Sequence, residues 1–313
     1  MSNVEAEPAE VTCTSTPGSV EVLEPRDVPL GGPRAMSVRR TLPQKQRSLI
    51  GAWCFCDHYG PDEVRMDVAP HPHTGLQTVS WLFTGEIEHR DSFGVHAYVR
   101  PGELNLMTGG RGIAHSEVST AASTVLHGVQ LWLALPDAHR DAPRNFQHYA
   151  PPSVVLNGAS VRVFLGSLAG STSPVTTFTP LLGAEVLVSG GATVTLDVDP
   201  AFEHGVLLDT GDVTLGETAL KPGELGYVGT GRSTLTLSST DGARVVLLGG
   251  EPFGEEIVMW WNFVGRTHDE IVTYRDEWQA ETSRFGRVED YPGDRLPAPP
   301  LPGGRLRPRG NPA

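Results

Sequence analysis

Two pairs of side chains in this sequence have the types and the spacing that metal sites use. His71 and His73 flank a proline in the segment HPHTGLQTV, and His115 and Glu117 have the same spacing in GRGIAHSEV, directly after a glycine cluster. In an extended strand, residues i and i+2 point to the same face, so the two members of each pair can reach one point. About 40 residues separate the pairs, which leaves room for about three strands and their turns. A β-barrel could therefore bring both pairs together on its inner wall.

Three imidazoles and one carboxylate form a mixed ligand set that leaves one or two coordination positions open for water or substrate. Such a set suits Fe(II), and also Mn, Ni, Co or Cu, whereas closed structural zinc sites look different. The alternative is that HPH lies in a surface loop and HSE in an exposed strand. The matched spacing favours the metal site. We therefore predict one ion, Fe(II) or else Mn, Ni, Co, Cu or Zn, bound by His71, His73, His115 and Glu117.

The sequence predicts that short strands position these residues. Apolar runs such as TVSWLF, VQLWLALP, AEVLVSG and ARVVLLGG are separated by turn signals, and the chain contains 36 glycines and 26 prolines. This pattern favours strands, and helical periodicity is absent from most of the chain. The first helical pattern is THDEIVTYRDEWQAETSRFG (267–286), with Thr267 as a predicted N-cap and Gly286 past the end. The sequence predicts an all-β protein with a C-terminal helix.

An internal repeat divides the chain. VRPGELNLMTGGRG (99–112) aligns without gaps on LKPGELGYVGTGRS (220–233), with six identities in fourteen positions. Two copies of one β-module predict tandem β-barrels. We assign residues 1–20 to a disordered tail, 21–150 to an N-terminal metal-binding barrel, 154–265 to a C-terminal barrel, and 266–313 to the helix and a Pro/Gly-rich tail.

The second copy of the module acts as an internal control for the metal site. The repeat places Thr236 and Ser238 opposite the His115 and Glu117 pair, and a related offset places Asp197 and Asp199 opposite the HPH pair. The second copy therefore has at most two carboxylates and no imidazole at these positions. We expect a metal in the first barrel alone.

Charge and composition exclude several classes of function. The formal net charge is −13, and an acidic chain repels phosphate backbones and anionic lipid, so we expect no direct nucleic-acid partner and no membrane partner. The sequence has no apolar run of about 18 residues, and its start lacks the pattern of a secretory signal. Three cysteines fit a reducing compartment, and we expect a cytoplasmic location, with Cys54 and Cys56 as core residues rather than a metal or redox pair.

From about residue 25 to residue 286 the sequence resembles the pirin family of the cupin superfamily. The resemblance is carried by VRRTLPQKQRSLIGAWCFCDHYGP, HPHTGLQTVSWLFTGEIEHRDSFG, RPGELNLMTGGRGIAHSE and VLLGGEPFGEEIV. It implies a bicupin: two tandem cupin (jelly-roll type) β-barrels followed by a helix. It also implies one mononuclear metal, usually Fe(II), held in the N-terminal barrel by His71, His73, His115 and Glu117, and a metal-free C-terminal barrel.

The resemblance implies two possible functions. One is a quercetin 2,3-dioxygenase type of enzyme, which opens flavonol-like aromatic enols with O₂ and releases carbon monoxide; Glu117 would be its catalytic base as well as a ligand. The alternative is a non-enzymatic, iron- or redox-responsive regulatory protein that binds a transcription factor or a metabolic enzyme. The expected partner is thus a small aromatic substrate or a protein.

Departures from the family pattern lie next to the HPH pair. Thr74 stands where the family often has arginine, and Leu76 and Gln77 stand where it often has phenylalanine and glutamate. Many other cupins use a glutamate four residues after the second histidine as a ligand. Gln77 is a poor replacement, so Glu117 must take that role. These changes leave the ligand set intact and alter the pocket.

Further polar and aromatic residues have two interpretations each. His89 and Asp91 either support the metal from behind its ligands or at the pocket mouth, or belong to a solvated turn. Asp57 and His58 precede a Gly-Pro turn and are expected to make turn and interdomain hydrogen bonds rather than to act in catalysis. The pair Trp260–Trp261 either packs between barrels or covers an aromatic ligand.

Overall fold

The computed structural model describes residues 19–29, 36–63 and 65–311 and consists mainly of β-strands. The expected disordered tail, residues 1–20, lies outside these ranges except for its last two residues. Within these ranges, one α-helix, α1 (His268–Gln279), and one short 3₁₀ turn, Asp137–His139, accompany the strands. The strands are β1 (Glu21–Leu23), β2 (Arg26–Pro29), β3 (Ser37–Leu42), β4 (Trp53–Asp62), β5 (Asp67–His73), β6 (Leu76–Thr84), β7 (Ile87–Asp91), β8 (His96–Val99), β9 (Leu104–Thr108), β10 (Ile113–Ser119), β11 (Leu126–Ala134), β12 (Asn145–Tyr149), β13 (Ser153–Leu156), β14 (Ala159–Leu165), β15 (Ser167–Leu168), β16 (Ser171–Thr172), β17 (Leu181–Val188), β18 (Thr193–Asp197), β19 (Glu203–Gly211), β20 (Val213–Leu215), β21 (Thr218–Leu220), β22 (Leu225–Val228), β23 (Thr234–Ser238), β24 (Ala243–Gly250), β25 (Val258–Trp260) and β26 (Phe263–Gly265).

The first barrel has two facing antiparallel sheets. One contains seven strands in the order β12-β9-β6-β11-β4-β3-β2, and the other four strands in the order β5-β10-β7-β8. An apolar cluster that includes Tyr59 and Leu82 from the larger sheet and Val68 and Ile87 from the smaller one holds the two sheets together. The even-numbered residues of β6, such as Ser80 and Leu82, therefore face the barrel interior, because strand side chains alternate between faces.

The second barrel repeats this plan. Its sheets have the orders β1-β22-β19-β24-β17-β14-β13 and β18-β23-β20-β21. The repeat in the sequence covers β9 and the turn that leads to β10 in the first barrel, and β22 and the turn that leads to β23 in the second. The prediction of an all-β protein with two tandem β-barrels and a C-terminal helix is confirmed.

The two barrels share a core and exchange chain segments. Trp53, Trp81 and Leu131 of the first barrel and Phe164 and Leu248 of the second belong to one buried apolar cluster. The division at residue 21 does not describe the observed pairing, because β1 joins the sheet of the second barrel beside β22, while β2 joins the first. The reason is that the chain crosses between the barrels before it enters the first one.

The C-terminal segment returns to the first barrel. Strands β25 and β26 form a hairpin, and Phe263 forms a bridge with Thr74 directly after β5. Helix α1 begins at the predicted N-cap Thr267, whose hydroxyl accepts the Glu270 amide in a capping box, and it ends at Gln279, earlier than the sequence pattern indicated. Among the described residues, no helix is long and apolar enough to cross a membrane.

Residues 280–311 contain no further helix or strand, but they are packed. The tail contributes Leu296, Leu301 and Leu306 to an apolar cluster that also contains Trp278 of α1 and Ala114 of β10. Because β10 carries two of the four expected ligands, the C-terminal segment packs against the strand that positions the candidate site.

Candidate metal centre

Neighbouring strands of the small sheet carry the four expected ligands. His71 and His73 lie at the end of β5, and His115 and Glu117 lie on β10, with His115 directly opposite His71 in the register. A β-bulge between His115 and Glu117 shifts the pairing, so that Glu117 faces Val68. All four side chains are buried. The strand register therefore brings both i/i+2 pairs to one place.

The three imidazoles converge. The ring centres of His71, His73 and His115 are 4.4–5.1 Å apart, and one ring nitrogen of each lies within 4.8 Å of the other two. Glu117 belongs to an overlapping group with His115 and His89, within the same 4.8 Å limit. The geometry thus brings the three histidines together, and it places Glu117 beside His115 rather than equally close to all three.

Proton positions follow from the backbone acceptors at His71 and His73. The Nδ1 atom of His71 is 2.9 Å from the Ala69 carbonyl oxygen, and that of His73 is 3.2 Å from the Asn262 carbonyl oxygen. A carbonyl oxygen can only accept, so both Nδ1 atoms carry hydrogen. Burial lowers the pKa of His71 to about 3, and burial together with His71 lowers the pKa of His73 well below its ordinary value. Both rings are neutral, and each Nε2 has a lone pair.

The positions of these lone pairs fit a bound cation. The Nε2 atom of His71 is buried and has no hydrogen-bond partner among residues 19–29, 36–63 and 65–311. A buried acceptor without a donor is costly, and a metal ion satisfies it. The Nε2 atoms of His73 and His115 are 3.0 Å apart. Two nitrogens bound about 2.1 Å from one ion at right angles are separated by about 3.0 Å, so this distance suits neighbouring ligands.

Glu117 is held by a polar pair on the opposite wall of the barrel. The Ser80 hydroxyl is 3.3 Å from Glu117 Oε1 and 3.0 Å from Gln130 Oε1. One hydroxyl proton cannot serve both acceptors fully, and the buried Nε2 atom of Gln130 has no partner in the described part of the chain. Exchanging the amide oxygen and nitrogen of Gln130 leaves the Ser80 hydroxyl with one acceptor, because the amide nitrogen then donates to Ser80 and Ser80 donates to Glu117.

Gln77 does not reach the candidate site. It lies on the face of β6 opposite to Ser80, and its amide donates to the Thr108 hydroxyl at 2.9 Å. This placement agrees with the expectation that the glutamate position of other cupins is not used as a ligand in this chain. Ser80 and Gln130 were not predicted from the sequence, although inward polar positions on predicted strands are a signal for such residues.

A second histidine cluster between the barrels has a different character. Oδ1 of Asp209, from the second barrel, accepts hydrogen bonds from Nε2 of His58 at 2.6 Å and of His127 at 2.5 Å. Arg39 donates to Nδ1 of His58 at 3.2 Å, and Arg244 pairs with the other Asp209 oxygen at 3.2 Å. The ring protons already have acceptors and two guanidinium groups lie nearby, so this cluster is an interdomain hydrogen-bond network rather than a cation site.

The contacts of His58 and Asp57 decide the expectation that both residues make turn and interdomain hydrogen bonds. His58 makes an interdomain hydrogen bond, as expected, whereas Asp57 forms a buried bidentate pair with Arg40 inside the first barrel.

Cys54 and Cys56 are both buried, and burial raises the pKa of each thiol to about 12. Protonated, buried thiols agree with a role as core residues.

The corresponding positions of the second barrel carry no converging ligands. Asp197 and Asp199 are exposed, and Thr236 and Ser238 are partly exposed on the outer face of β23. The inward residues of that strand, Leu235 and Leu237, belong to an aliphatic core instead. The offset alignment thus pairs inward positions of the first barrel with outward positions of the second.

Trp261 and its neighbours cover the site from the C-terminal side. Trp261 has a left-handed backbone conformation, with φ of 52°, in the two-residue turn between β25 and β26. This turn brings the Asn262 carbonyl to His73. Both Trp260 and Trp261 are buried in a cluster formed by the hairpin, α1, the C-terminal segment and Ala114 of β10. They therefore have a packing role, but against the first barrel rather than between the two barrels as expected. The contribution of a main-chain oxygen from this distant hairpin had no signal in the sequence.

Comparisons with known proteins agree with this architecture. Residues 35–133 match the family model described as Pirin, and residues 183–286 match the model described as Pirin C-terminal cupin domain. A Pseudomonas aeruginosa protein named "Putative quercetin 2,3-dioxygenase PA1205" is 44% identical over 282 residues, which cover 88% of this chain and 89% of that protein. A pirin-like protein of Caulobacter vibrioides is 31% identical, with 84% of this chain and 94% of that protein covered.

A solved structure shows the same arrangement of both barrels. The crystal structure of quercetin 2,3-dioxygenase from Acinetobacter baumannii has 38% sequence identity and a TM-score of 0.88, and the match covers 93% of this chain and 98% of that one. Family models, relatives and structure all span the two barrels and the segment that carries the candidate ligands. The chain belongs to the pirin family.

Proposed function

We propose that this protein is a mononuclear metal-dependent dioxygenase of the quercetin 2,3-dioxygenase type that acts on flavonol-like aromatic enols. His71, His73, His115 and Glu117 would hold the ion, with Fe(II) as the first candidate. The observation that supports this most directly is the convergence of buried imidazoles, with Nε2 of His71 left without a donor in the described chain. The names of the Pseudomonas aeruginosa relative and of the Acinetobacter baumannii structure support the reaction type.

The protein's own residues would supply the acid–base chemistry. A bound ion would supply a Lewis-acid position that lowers the pKa of a substrate hydroxyl and lets O₂ meet the activated substrate. Glu117 would accept the enol proton, and a base at hydrogen-bond distance typically contributes about 10²–10⁴ in rate. Ser80 would orient Oε1 of Glu117. The low pKa values of the buried imidazoles keep them neutral, so they do not compete for this proton.

Aromatic side chains next to the ligands suit a flat, apolar substrate. The rings of Phe55 and Trp132 stack with their centres 4.0 Å apart, and Trp132 meets His73 edge to face at 5.2 Å. Leu76 and Val264 complete the apolar part of this wall, and the guanidinium of Arg40 lies 4.3 Å from the Phe55 ring centre. An apolar wall beside the ligands excludes water from the reacting atoms, which strengthens the electrostatic interactions within the site.

The test is anaerobic reconstitution of the metal-free, full-length protein with Fe(II), Mn(II), Ni(II), Co(II) or Cu(II), followed by quercetin and O₂. We expect O₂ uptake, loss of the flavonol absorbance and carbon monoxide release with at least one ion. His71→Leu should lose both the ion and the turnover, while His96→Leu, at an exposed position on β8, should keep both. Complete loading with every ion and no turnover would reject the proposal.

The alternative regulatory function makes a different prediction for the same protein. A redox-responsive binding protein would load iron without turning over quercetin, and the set of proteins it captures would change between Fe(II) and Fe(III). A captured set that is independent of the iron redox state would contradict that alternative.

A further inference from the structure

We propose that His89 and Asp91 are positioning residues that fix the proton of His115 on Nδ1 and thereby leave its Nε2 as a metal ligand. This inference rests on the proposed function, because it concerns the same site. His71 and His73 have their protons fixed by backbone carbonyl groups. Among the residues that the structure describes, His115 has no such carbonyl partner. Its Nδ1 instead faces the imidazole of His89, with 3.3 Å between the two Nδ1 atoms.

Asp91 is held as an acceptor. Its Oδ1 accepts hydrogen bonds from the backbone amides of Phe93 at 2.9 Å and Val95 at 3.0 Å. Its Oδ2 lies 3.1 Å from Nε2 of His89. A carboxylate offers acceptors to its neighbours, so the facing Nε2 of His89 carries the hydrogen. Asp91 and His89 are both buried, which excludes the solvated-turn interpretation.

The acceptor role of Asp91 thereby determines which ring nitrogen carries the hydrogen in His89 and then in His115. An imidazole whose ring hydrogen is on Nε2 has a lone pair on Nδ1, so the hydrogen between the Nδ1 atoms of His89 and His115 belongs to His115. His115 consequently has its lone pair on Nε2, directed toward Nε2 of His73 at 3.0 Å.

The strand register makes this arrangement rigid. On the pairing of β10 with β7, His115 lies opposite Asp91 and Glu117 lies opposite His89. The i/i+2 pair of β7 therefore stands beside the i/i+2 pair of β10, with both pairs directed into the barrel. All three imidazoles that converge at the site thus have an acceptor at Nδ1, but only the acceptor of His115 is a side chain that can change its own proton position.

Asp91→Asn tests the proton order with almost no change of shape. The asparagine oxygen can still accept the two backbone amides, while its amide nitrogen donates to Nε2 of His89. The His89 proton must then move to Nδ1, which forces the His115 proton onto Nε2, where it blocks the ligand position. We expect the affinity for Co²⁺, measured by chelator competition, to fall about 10–100-fold. In the metal-free protein, long-range ¹H–¹⁵N NMR should show His115 protonated on Nε2 rather than Nδ1.

A second substitution should rescue the first. In Asp91→Asn combined with His89→Asn, the amide oxygen at position 89 can accept from Nδ1 of His115 whatever residue 91 donates. We expect Co²⁺ affinity to return to within a few-fold of the original protein, with the His115 proton back on Nδ1. Glu88→Gln is the matched control, because Glu88 pairs with the exposed His96 on the same sheet at 2.7 Å, and Co²⁺ affinity should not change.

The outcomes separate this inference from the proposed function. An unchanged His115 proton position and unchanged Co²⁺ affinity in Asp91→Asn would overturn the inference and leave the metal-dependent function standing. If the original protein binds none of the tested ions, the proposed function fails, and the NMR proton position of His115 in the original and Asp91→Asn proteins still decides the inference. An equal loss of affinity in Asp91→Asn and in the double variant would also overturn it.

Discussion

His204 of the second barrel should make the stability of this protein depend on pH. It lies on β19, is fully buried, and neither of its ring nitrogens has a hydrogen-bond partner among the described residues. Burial lowers its pKa from 6.5 to about 4. In the unfolded chain the same imidazole is solvated and has the ordinary pKa of about 6.5. The substitution that tests this is His204→Leu, which replaces the titrating ring with an apolar side chain of similar size.

The sign and the size of the effect follow from this difference. Between pH 6.5 and 4 the unfolded chain binds a proton that the folded chain does not, so acid favours unfolding. The contribution of His204 to stability is fully present above pH 6.5 and is lost as the pH falls through about 4. With about 1.36 kcal/mol for each pKa unit, the loss between pH 7.5 and 4.5 is about 2.5 kcal/mol.

Urea unfolding of the metal-free protein at pH 7.5 and 4.5 is the assay. The free energy of unfolding of the original protein, minus that of His204→Leu, should fall by about 2.5 kcal/mol between the two pH values. At pH 7.5 the variant should be as stable as the original protein or more so, because it also removes two buried ring nitrogens without partners. His96→Leu, at an exposed position, is the control. A His204→Leu difference that is the same at both pH values would refute the reasoning.

Two further predictions concern how the barrel wall and the C-terminal hairpin support the site. Gly75 has φ of +66°, and a Cβ atom there would lie 2.2 Å from the Val264 carbonyl oxygen. Gly75→Ala should therefore lower the free energy of unfolding, measured with urea, by about 3 kcal/mol or more. It should also weaken Co²⁺ binding, because the clash displaces the hairpin. Gly94 is the control, because it has φ of +91° and no atom lies within 4 Å of the Cβ position. Gly94→Ala should lower the free energy of unfolding by only the backbone cost of about 1–2 kcal/mol. Equal losses in the two variants would contradict the proposed clash at Gly75. Asp57→Ala removes the bidentate carboxylate from the buried guanidinium of Arg40 and should lower the free energy of unfolding by about 3–5 kcal/mol. In the same assay, Arg40→Met combined with Asp57→Leu should recover most of this loss. A double variant as unstable as Asp57→Ala would show that the pair contributes more than charge compensation.

Local patterns predicted a large part of the fold and of the site. The i/i+2 spacing of His71 with His73 and of His115 with Glu117 indicated which side chains share a direction, since side-chain alternation depends only on the backbone of adjacent residues. The repeat at 99–112 and 220–233 indicated two copies of one β-module, and both copies form the corresponding strands. The capping pattern at Thr267 likewise depends on a few neighbouring residues and is confirmed.

Tertiary structure decided the features that depend on distant segments. The acceptor at His73 Nδ1 is a main-chain oxygen 189 residues later in the chain, and it reaches the site only because the C-terminal hairpin packs against the first barrel. The pairing of β1 with the second barrel and the joining of His58 and His127 through Asp209 also cross between barrels. Short-range spacing determines where a side chain points along its strand. Which group receives its proton is determined by segments that meet only after the barrels have packed, and no local pattern in the sequence specifies those meetings.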